Sequence, residues 1–310
     1  LIASAPECEL VAVATRSAQR RALVATEHPD AAVVDDLAGL LAAGAEAVTV
    51  STPADTHIPL CRQALERGLA VVVDKPFALT AADARPAVEL AERLGLALSV
   101  YQNRRWDSDF RTVRALADSG ALGEITRFES RFERRQDGPP AAGGGTLLDF
   151  GSHLVDQAIQ LLGPVRTVYA EIHHRDDPAG LDDDVFVALA HARGAHSHLW
   201  GSWVQSAPGT RFRVTGTRAT YVVDGLDIQE ELLVAGRTPA SEAGAWGTEP
   251  QDRWGRLHDG SGAASLPTER GRWDTYYPSF AAAVRGNGPV PVDPRDALAT
   301  AEVLDAARTS

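Results

Sequence analysis

The run Val71-Val72-Val73-Asp74-Lys75-Pro76-Phe77 ends three valines in a carboxylate, an ammonium group and a proline. A strand buried on both faces has no water for a cation, so this lysine belongs to whatever lies beyond the strand end. Pro76 fixes its own φ and restricts the residue before it, which holds Lys75 at the turn. The plain alternative is a lysine snorkelling from a strand end. A second run, Gly143-Gly144-Gly145-Thr146-Leu147-Leu148-Asp149-Phe150-Gly151-Ser152-His153, leads from a glycine loop into a helix. Asp149 and His153 stand four apart and would share one helix face. A carboxylate there fixes the imidazole tautomer and stabilises the imidazolium, a pairing suited to moving a proton.

Groups this far apart need a scaffold to bring them together. Up to about residue 120, short apolar runs alternate with amphipathic stretches. The runs are Leu10–Ala14, Ala31–Val34, Ala47–Val50, Leu69–Val73 and Leu96–Val100; the helical stretches include Asp36–Ala43, Ile58–Arg67, Ala81–Leu94 and Ser108–Ser119. Each helix ends near a glycine. This pattern predicts an α/β, Rossmann-like doubly wound parallel sheet over residues 1–120. Residues 121–310 read as an α+β domain with a largely antiparallel, open-faced sheet. Its strands are expected at Ile125–Arg134, Val165–His174, Val185–His191, Ala195–Val204, Arg211–Thr215 and Thr220–Val223. Helices are expected over Leu147–Leu162 and Tyr276–Arg285. The segment 236–272 reads as a long loop, and a final helix at Arg295–Arg308 is expected to dock back on the first domain.

In an open parallel sheet, ligands bind beyond the carboxyl ends of the strands. The clusters there are Ser51-Thr52-Pro53-Ala54-Asp55-Thr56-His57, Asp74-Lys75-Pro76, and Tyr101-Gln102-Asn103-Arg104-Arg105-Trp106. Thr15-Arg16-Ser17 follows the Leu10–Ala14 run, at the position that reads the adenosine ribose. A carboxylate there would repel a 2′-phosphate, whereas hydroxyls and a guanidinium suit one. NADP(H) is therefore the expected cofactor, with NAD(H) as the alternative. Counting back about 20 residues from Thr15 lands before residue 1, so the glycine-rich phosphate loop and first strand are expected to lie there, with Leu1–Ser4 as the tail of the loop's helix. The three glycines at 143–145 follow no parallel strand and do not replace that loop.

The composition is that of an ordinary globular chain of 310 residues, 44% hydrophobic and 23% charged. A formal net charge of −12 with no basic patch argues against nucleic acid and anionic membranes as partners. Cys8 and Cys61 form no motif, so a reduced, cytoplasmic setting is expected. The histidines at 173, 174, 191, 196 and 198 lack carboxylate or cysteine partners at useful spacing, and no metal site is expected.

The [DE]-K-P motif after a parallel strand, together with G-G-G-x-L-x-D-x-G-x-H, resembles the Gfo/Idh/MocA family of NAD(P)-dependent oxidoreductases. Thr52-Pro53 with His57 is similar to that family's cofactor loop. The stretches Asn103–Phe110 and Gly151–Gln157 resemble its NADP-dependent scyllo-inositol dehydrogenase branch. The resemblance implies a catalytic trio of Lys75, Asp149 and His153, with cofactor contacts from Ser51, Thr52, Pro53, His57, Asp74, Lys75, Pro76 and Asn103. It also implies a polyol or sugar substrate and a homodimer or homotetramer.

The expected reaction interconverts a secondary alcohol and its ketone. His153 would exchange the hydroxyl proton, Asp149 would orient it, and Lys75 would hydrogen-bond the same oxygen or itself transfer the proton. Asn103, Arg105 and Trp106 are candidate substrate-wall residues, although Arg104 and Arg105 read equally as interdomain ion pairs. Leu199, Trp200 and Trp203 offer apolar material for a subunit contact on the open sheet face. The competing readings are a cofactor-sensing protein of the same fold without turnover, and a dehydrogenase of another sugar or a dihydrodiol.

Overall fold

A computed structural model describes residues 1–136, 144–174 and 180–310 of the chain. In its first third come β1 (Ala12–Ala14), α1 (Ala18–Glu27), β2 (Ala32–Val34), α2 (Leu37–Ala42) and β3 (Ala47–Val50). They are followed by α3 (Ala54–Glu66), β4 (Ala70–Asp74), α4 (Ala81–Leu94), β5 (Leu98–Tyr101) and α5 (Ser108–Asp118). Every strand pair here is parallel: β1 with β2, and β3 with β4 and β4 with β5. No ladder joins β1 to β3, so the sheet is in two pieces. Burial follows that division. Four of the five residues of β4 are buried, whereas β1 and β2 contain no buried residue. The helix starts are set by side chains: Ser17, Asp36 and Thr80 accept backbone N–H groups at the heads of α1, α2 and α4.

The rest of the chain builds β6 (Ile125–Glu133), α6 (Gly145–Asp149), α7 (Gly151–Leu162), β7 (Val165–His174), β8 (Asp182–His191), β9 (His196–Ser202), β10 (Phe212–Gly216) and β11 (Thr220–Val223). After these come α8 (Gln229–Val234), α9 (Pro239–Glu242), β12 (Arg256–His258), β13 (Ala263–Ser265), α10 (Tyr276–Val284) and α11 (Pro294–Thr309). One eight-stranded sheet runs β13-β12-β11-β10-β6-β9-β8-β7. Among the described residues only β6 and β9 pair in parallel within it.

The sequence expectations need three corrections here. The helix predicted over 147–162 is two helices, broken at Phe150. The segment read as a long loop carries α9 and two short strands, β12 and the edge strand β13. Leu199 and Trp203 face the core, at 1% and 9% exposure, and leave only Trp200 for the open face. Alternation of period two dictates that outcome, since 199 and 203 share a face that 200 cannot. Trp200 lies beside Phe186, with the Arg131 guanidinium 3.8 Å over its ring.

Two apolar clusters form the interior. One gathers Phe110, Phe128, Phe132, Leu147, Phe150 and Leu154 between the large sheet and its helices. The other surrounds β4 with Cys61, Leu65, Phe77 and Val100, and takes in Tyr276 and Phe280 from α10. α11 belongs to both, placing Leu298 in the second and Val303 with Leu304 in the first. Each such side chain contributes roughly 1.5–3 kcal/mol when fully buried. The last helix thus fastens the two halves that carry the polar strand ends.

Candidate active site

Because β1, β3, β4 and β5 all run in parallel pairs, Thr15, Ser51, Lys75 and Gln102 leave the carboxyl ends of their strands. At the end of β4, the Lys75 ammonium donates to Asp149 Oδ1 at 2.5 Å and reaches the Asp149 carbonyl at 3.5 Å. Both side chains remain about a quarter exposed. The Lys75–Pro76 peptide is cis. Asp74 accepts from the Lys75 backbone N–H at 2.8 Å. Burial pushes its carboxyl up, and the charges of Lys75 and His57 oppose that shift.

The glycine run delivers Asp149. Gly144 and Gly145 have φ of 116° and 80°, in the region that favours glycine. A Cβ at Gly145 would stand 1.9 Å from Asp182 Oδ1. That space lets Asp182 accept from Leu147 N–H at 2.6 Å, while its carbonyl accepts from Thr146 Oγ1 at 3.0 Å. The head of α6 is therefore pinned to β8, with Asp149 one turn on. Gly143 lies outside the described residues.

The expected Asp149–His153 couple is corrected. Asp149 ends α6, Phe150 joins it to α7, and no hydrogen bond links the carboxylate to the imidazole. A cation brought by the other sheet has claimed the carboxylate. His153 is 4% exposed, and its buried Nδ1 has no partner among the described residues. Burial pulls its pKa well below the ordinary histidine value, and the charges of Lys75, Arg104 and Arg211 act in the same direction. Its ring lies nearly parallel to Phe132, 14° apart in plane with centroids at 6.3 Å. The site therefore combines a neutral imidazole with an ammonium group that carries its own counter-ion.

The remaining expected contacts divide. His57 is 2% exposed, with Nδ1 2.8 Å from the Pro76 carbonyl and Nε2 2.7 Å from the Thr52 carbonyl. Both nitrogens are committed to backbone, so the expected cofactor contact is corrected to a clamp between two loops. Ser51, Thr52 and Pro53 are exposed on the rim. Thr15 Oγ1 accepts from Ser17 N–H, and Ser17 Oγ caps α1 through Arg20 N–H. Arg16 is exposed and has no ion pair among the described residues, whereas Arg21 is paired with Asp35. Asn103 is partly exposed, with no side-chain hydrogen bond among the described residues.

Arg105 is not a substrate-wall residue. Its guanidinium grips Asp156 through two bonds of 2.8 and 2.6 Å and Asp296 through one of 2.9 Å. The partly exposed Trp106 ring meets Tyr276 edge-on at 5.6 Å, and its carbonyl accepts from Arg272 N–H. Two residues at the site were given no role in the sequence reading. Gln102 donates weakly to the Ser152 carbonyl at 3.5 Å, and its buried Oε1 has no partner among the described residues. Its place right after β5 is the signal that marks it. Phe132 underlies His153, and only its inward parity on β6 points to it. Among the described residues no group of three or more His, Cys, Asp or Glu is placed to hold a metal ion.

A parallel strand–helix unit with polar groups gathered at strand ends, fastened to a sheet domain that lends the facing carboxylate and imidazole, defines a Rossmann-type oxidoreductase. Residues 1–102 match the model "Oxidoreductase family, NAD-binding Rossmann fold", and residues 110–222 match "GFO/IDH/MocA C-terminal domain". The chain belongs to the GFO/IDH/MocA family. The uncharacterized oxidoreductase YdgJ of Escherichia coli (strain K12) is 36% identical over 319 residues, covering 98% of this chain and 89% of that protein. The scyllo-inositol 2-dehydrogenase (NADP(+)) IolW of Bacillus subtilis (strain 168) is 30% identical over 93% of this chain and 83% of its own. The solved structure of the putative oxidoreductase yvaA from Bacillus subtilis superposes with a TM-score of 0.92 at 30% identity. It covers 100% of this chain and 91% of its own. Among the described residues no helix is long and apolar enough to cross a membrane.

Proposed function

We propose that the protein is an NADP(H)-dependent oxidoreductase that interconverts a secondary alcohol of a cyclic polyol or sugar with its ketone. The observation that carries this reading is the Lys75 ammonium held on Asp149 at 2.5 Å, with its charge felt at the buried, neutral His153. The residues present fit a dinucleotide: the end of β1 offers Thr15, unpaired Arg16 and Ser17 with no carboxylate among them, and the rim after β3 offers exposed Ser51, Thr52 and Pro53. Arg16 would meet a 2′-phosphate. When bound, the nicotinamide accepts or returns the hydride of the reacting carbon. The chain supplies the rest. His153 takes the hydroxyl proton, Lys75 donates a hydrogen bond to the same oxygen, and Asp149 holds and balances Lys75. Asn103 is the polar group left on the substrate side of the β5 end.

IolW, named as a scyllo-inositol dehydrogenase using NADP(+), supports both the cofactor and the substrate class. The same reading places a homodimer or homotetramer on the open sheet face around Phe186 and Trp200. It also places the protein in a reduced cytoplasm, with Cys8 and Cys61 as free thiols. The test is fluorescence titration with NADPH and NADH, followed by nicotinamide absorbance with a panel of inositols and sugars. Tighter NADPH binding and turnover of a cyclic polyol are expected. Cofactor binding without turnover on any alcohol would favour a sensor, and no binding would end the proposal.

A further inference from the structure

We propose that Glu230 and Arg134 form the subsite that reads two neighbouring hydroxyls of the substrate, away from the reacting carbon. The proposal rests on the oxidoreductase reading above and names the side chains that would recognise a polyol within it. Glu230 lies in the first turn of α8, and Arg134 directly follows β6. Arg134 Nη2 donates to Glu230 Oε2 at 3.2 Å, and Arg104 Nη2 donates to the same oxygen at 2.7 Å. Among the described residues Glu230 Oε1 has no hydrogen bond, and the Arg134 side chain has no other. The two residues therefore hold a spare acceptor and spare donors side by side. A vicinal diol asks for that combination, since each hydroxyl donates one hydrogen bond and accepts others.

The pair stands where the junction of the two halves opens to solvent. The Arg104 side chain is 7% exposed and takes the fully buried Asp107 as its second carboxylate at 3.1 Å, whereas Glu230 and Arg134 are 41% and 36% exposed. Phe132 sets their position relative to the proton-handling group. The guanidinium carbons of Arg104 and Arg134 lie 4.5 and 4.9 Å from its ring centroid, and the His153 imidazole lies nearly parallel to that ring. A cyclic polyol with one carbinol at His153 has further hydroxyls to present to groups fixed around the same phenyl ring. Arg104 orders the Glu230 carboxylate before any ligand arrives, so a diol binds without the cost of immobilising it. The bonds it gains are charge-assisted on both sides. As an ion pair alone, at these exposures, Arg134 and Glu230 would add little to stability.

The experiment is calorimetric binding of scyllo-inositol to the full chain loaded with NADPH, a polyol and a reduced cofactor that cannot react with each other. It is repeated with Arg134→Met, which keeps the aliphatic stem over Phe132 but removes the donors, and with Glu230→Gln, which removes the charge. Each variant should bind scyllo-inositol about tenfold more weakly. In kinetics each should raise KM for scyllo-inositol far more than it lowers kcat. The ratio of kcat/KM for scyllo-inositol over cyclohexanol, which has no neighbouring hydroxyl, should fall about tenfold. Unchanged affinity and an unchanged ratio would overturn the subsite and leave the oxidoreductase reading intact, as would a lowered melting temperature with binding unaltered. Weaker binding by both variants, with no turnover of any alcohol by the parent chain, would support the subsite and end the oxidoreductase reading.

Discussion

Two charge clusters join the halves of this molecule, and they are built to opposite standards. In the seam, Arg105 is held by Asp156 and Asp296, Arg211 by Asp109, Ser130, Gln157 and the Arg131 carbonyl, and Arg104 by Asp107 and Glu230. Among the described residues nearly every donor of these three arginines is answered, Arg104 Nε excepted. At the site, among the described residues, Lys75 has one carboxylate, and His153 Nδ1 and Gln102 Oε1 have no partner. Native interiors satisfy their buried polar groups, so the orphans mark where a missing partner is expected. The seam cluster is the more fully paired of the two.

That contrast is open to breaking. Lys75→Ala should cost about 10³-fold in kcat while leaving the melting temperature within a few degrees, since the residue is partly exposed and its loss only frees Asp149. Steady-state kinetics beside calorimetry checks it, and a large fall in stability would erase the distinction. Arg105→Ala should behave in the opposite way. Removing it strands Asp156 in the interior and should destabilise by about 3–5 kcal/mol in denaturant unfolding. Replacing both partners, Arg105→Met with Asp156→Leu, should recover much of that loss.

The parts of this plan that were legible are those written in local sequence. A lysine after three buried valines and a glycine run before a helix each announce a position, and the structure brings Lys75 and Asp149 together from 74 residues apart. What local spacing cannot show is which partner wins. Asp149 and His153 look like a helical pair until Lys75 arrives and the helix breaks at Phe150. Arg105 could not be told from a substrate contact because its carboxylates lie 51 and 191 residues further along the chain. The short strands β12 and β13 span three residues each, too few to display an alternation. Trp200 is a different case: strand parity alone separates it from Leu199 and Trp203.

Smaller effects sharpen the comparison. Asp149→Asn keeps an acceptor for Lys75 but removes the balancing charge. It should lower kcat on the order of 10–100-fold with NADPH affinity unchanged, as measured by titration.

The two clusters should also respond to pH with opposite sign. His153 at the site has its pKa depressed by burial and by neighbouring cations. Below about pH 6.5 the unfolded chain binds a proton that the folded site refuses, so this contribution to stability is lost as pH falls. Glu249 belongs to the seam side, where its Oε1 accepts from Ser108 Oγ at 2.8 Å and from Ile228 N–H at 3.1 Å. Burial pushes its carboxyl up to about 7. There the folded state holds the proton more tightly, so its contribution is complete below the ordinary glutamate range and is lost as pH rises through about 7. Glu249→Gln should therefore raise the melting temperature at pH 8 relative to pH 5, on the order of 2 °C, by removing a carboxylate that is costly to ionise. His153→Gln should instead flatten the acid side of the same profile. Scanning calorimetry from pH 5 to pH 8 on the two variants separates them, and equal shifts at both ends would show that the two clusters are not built differently.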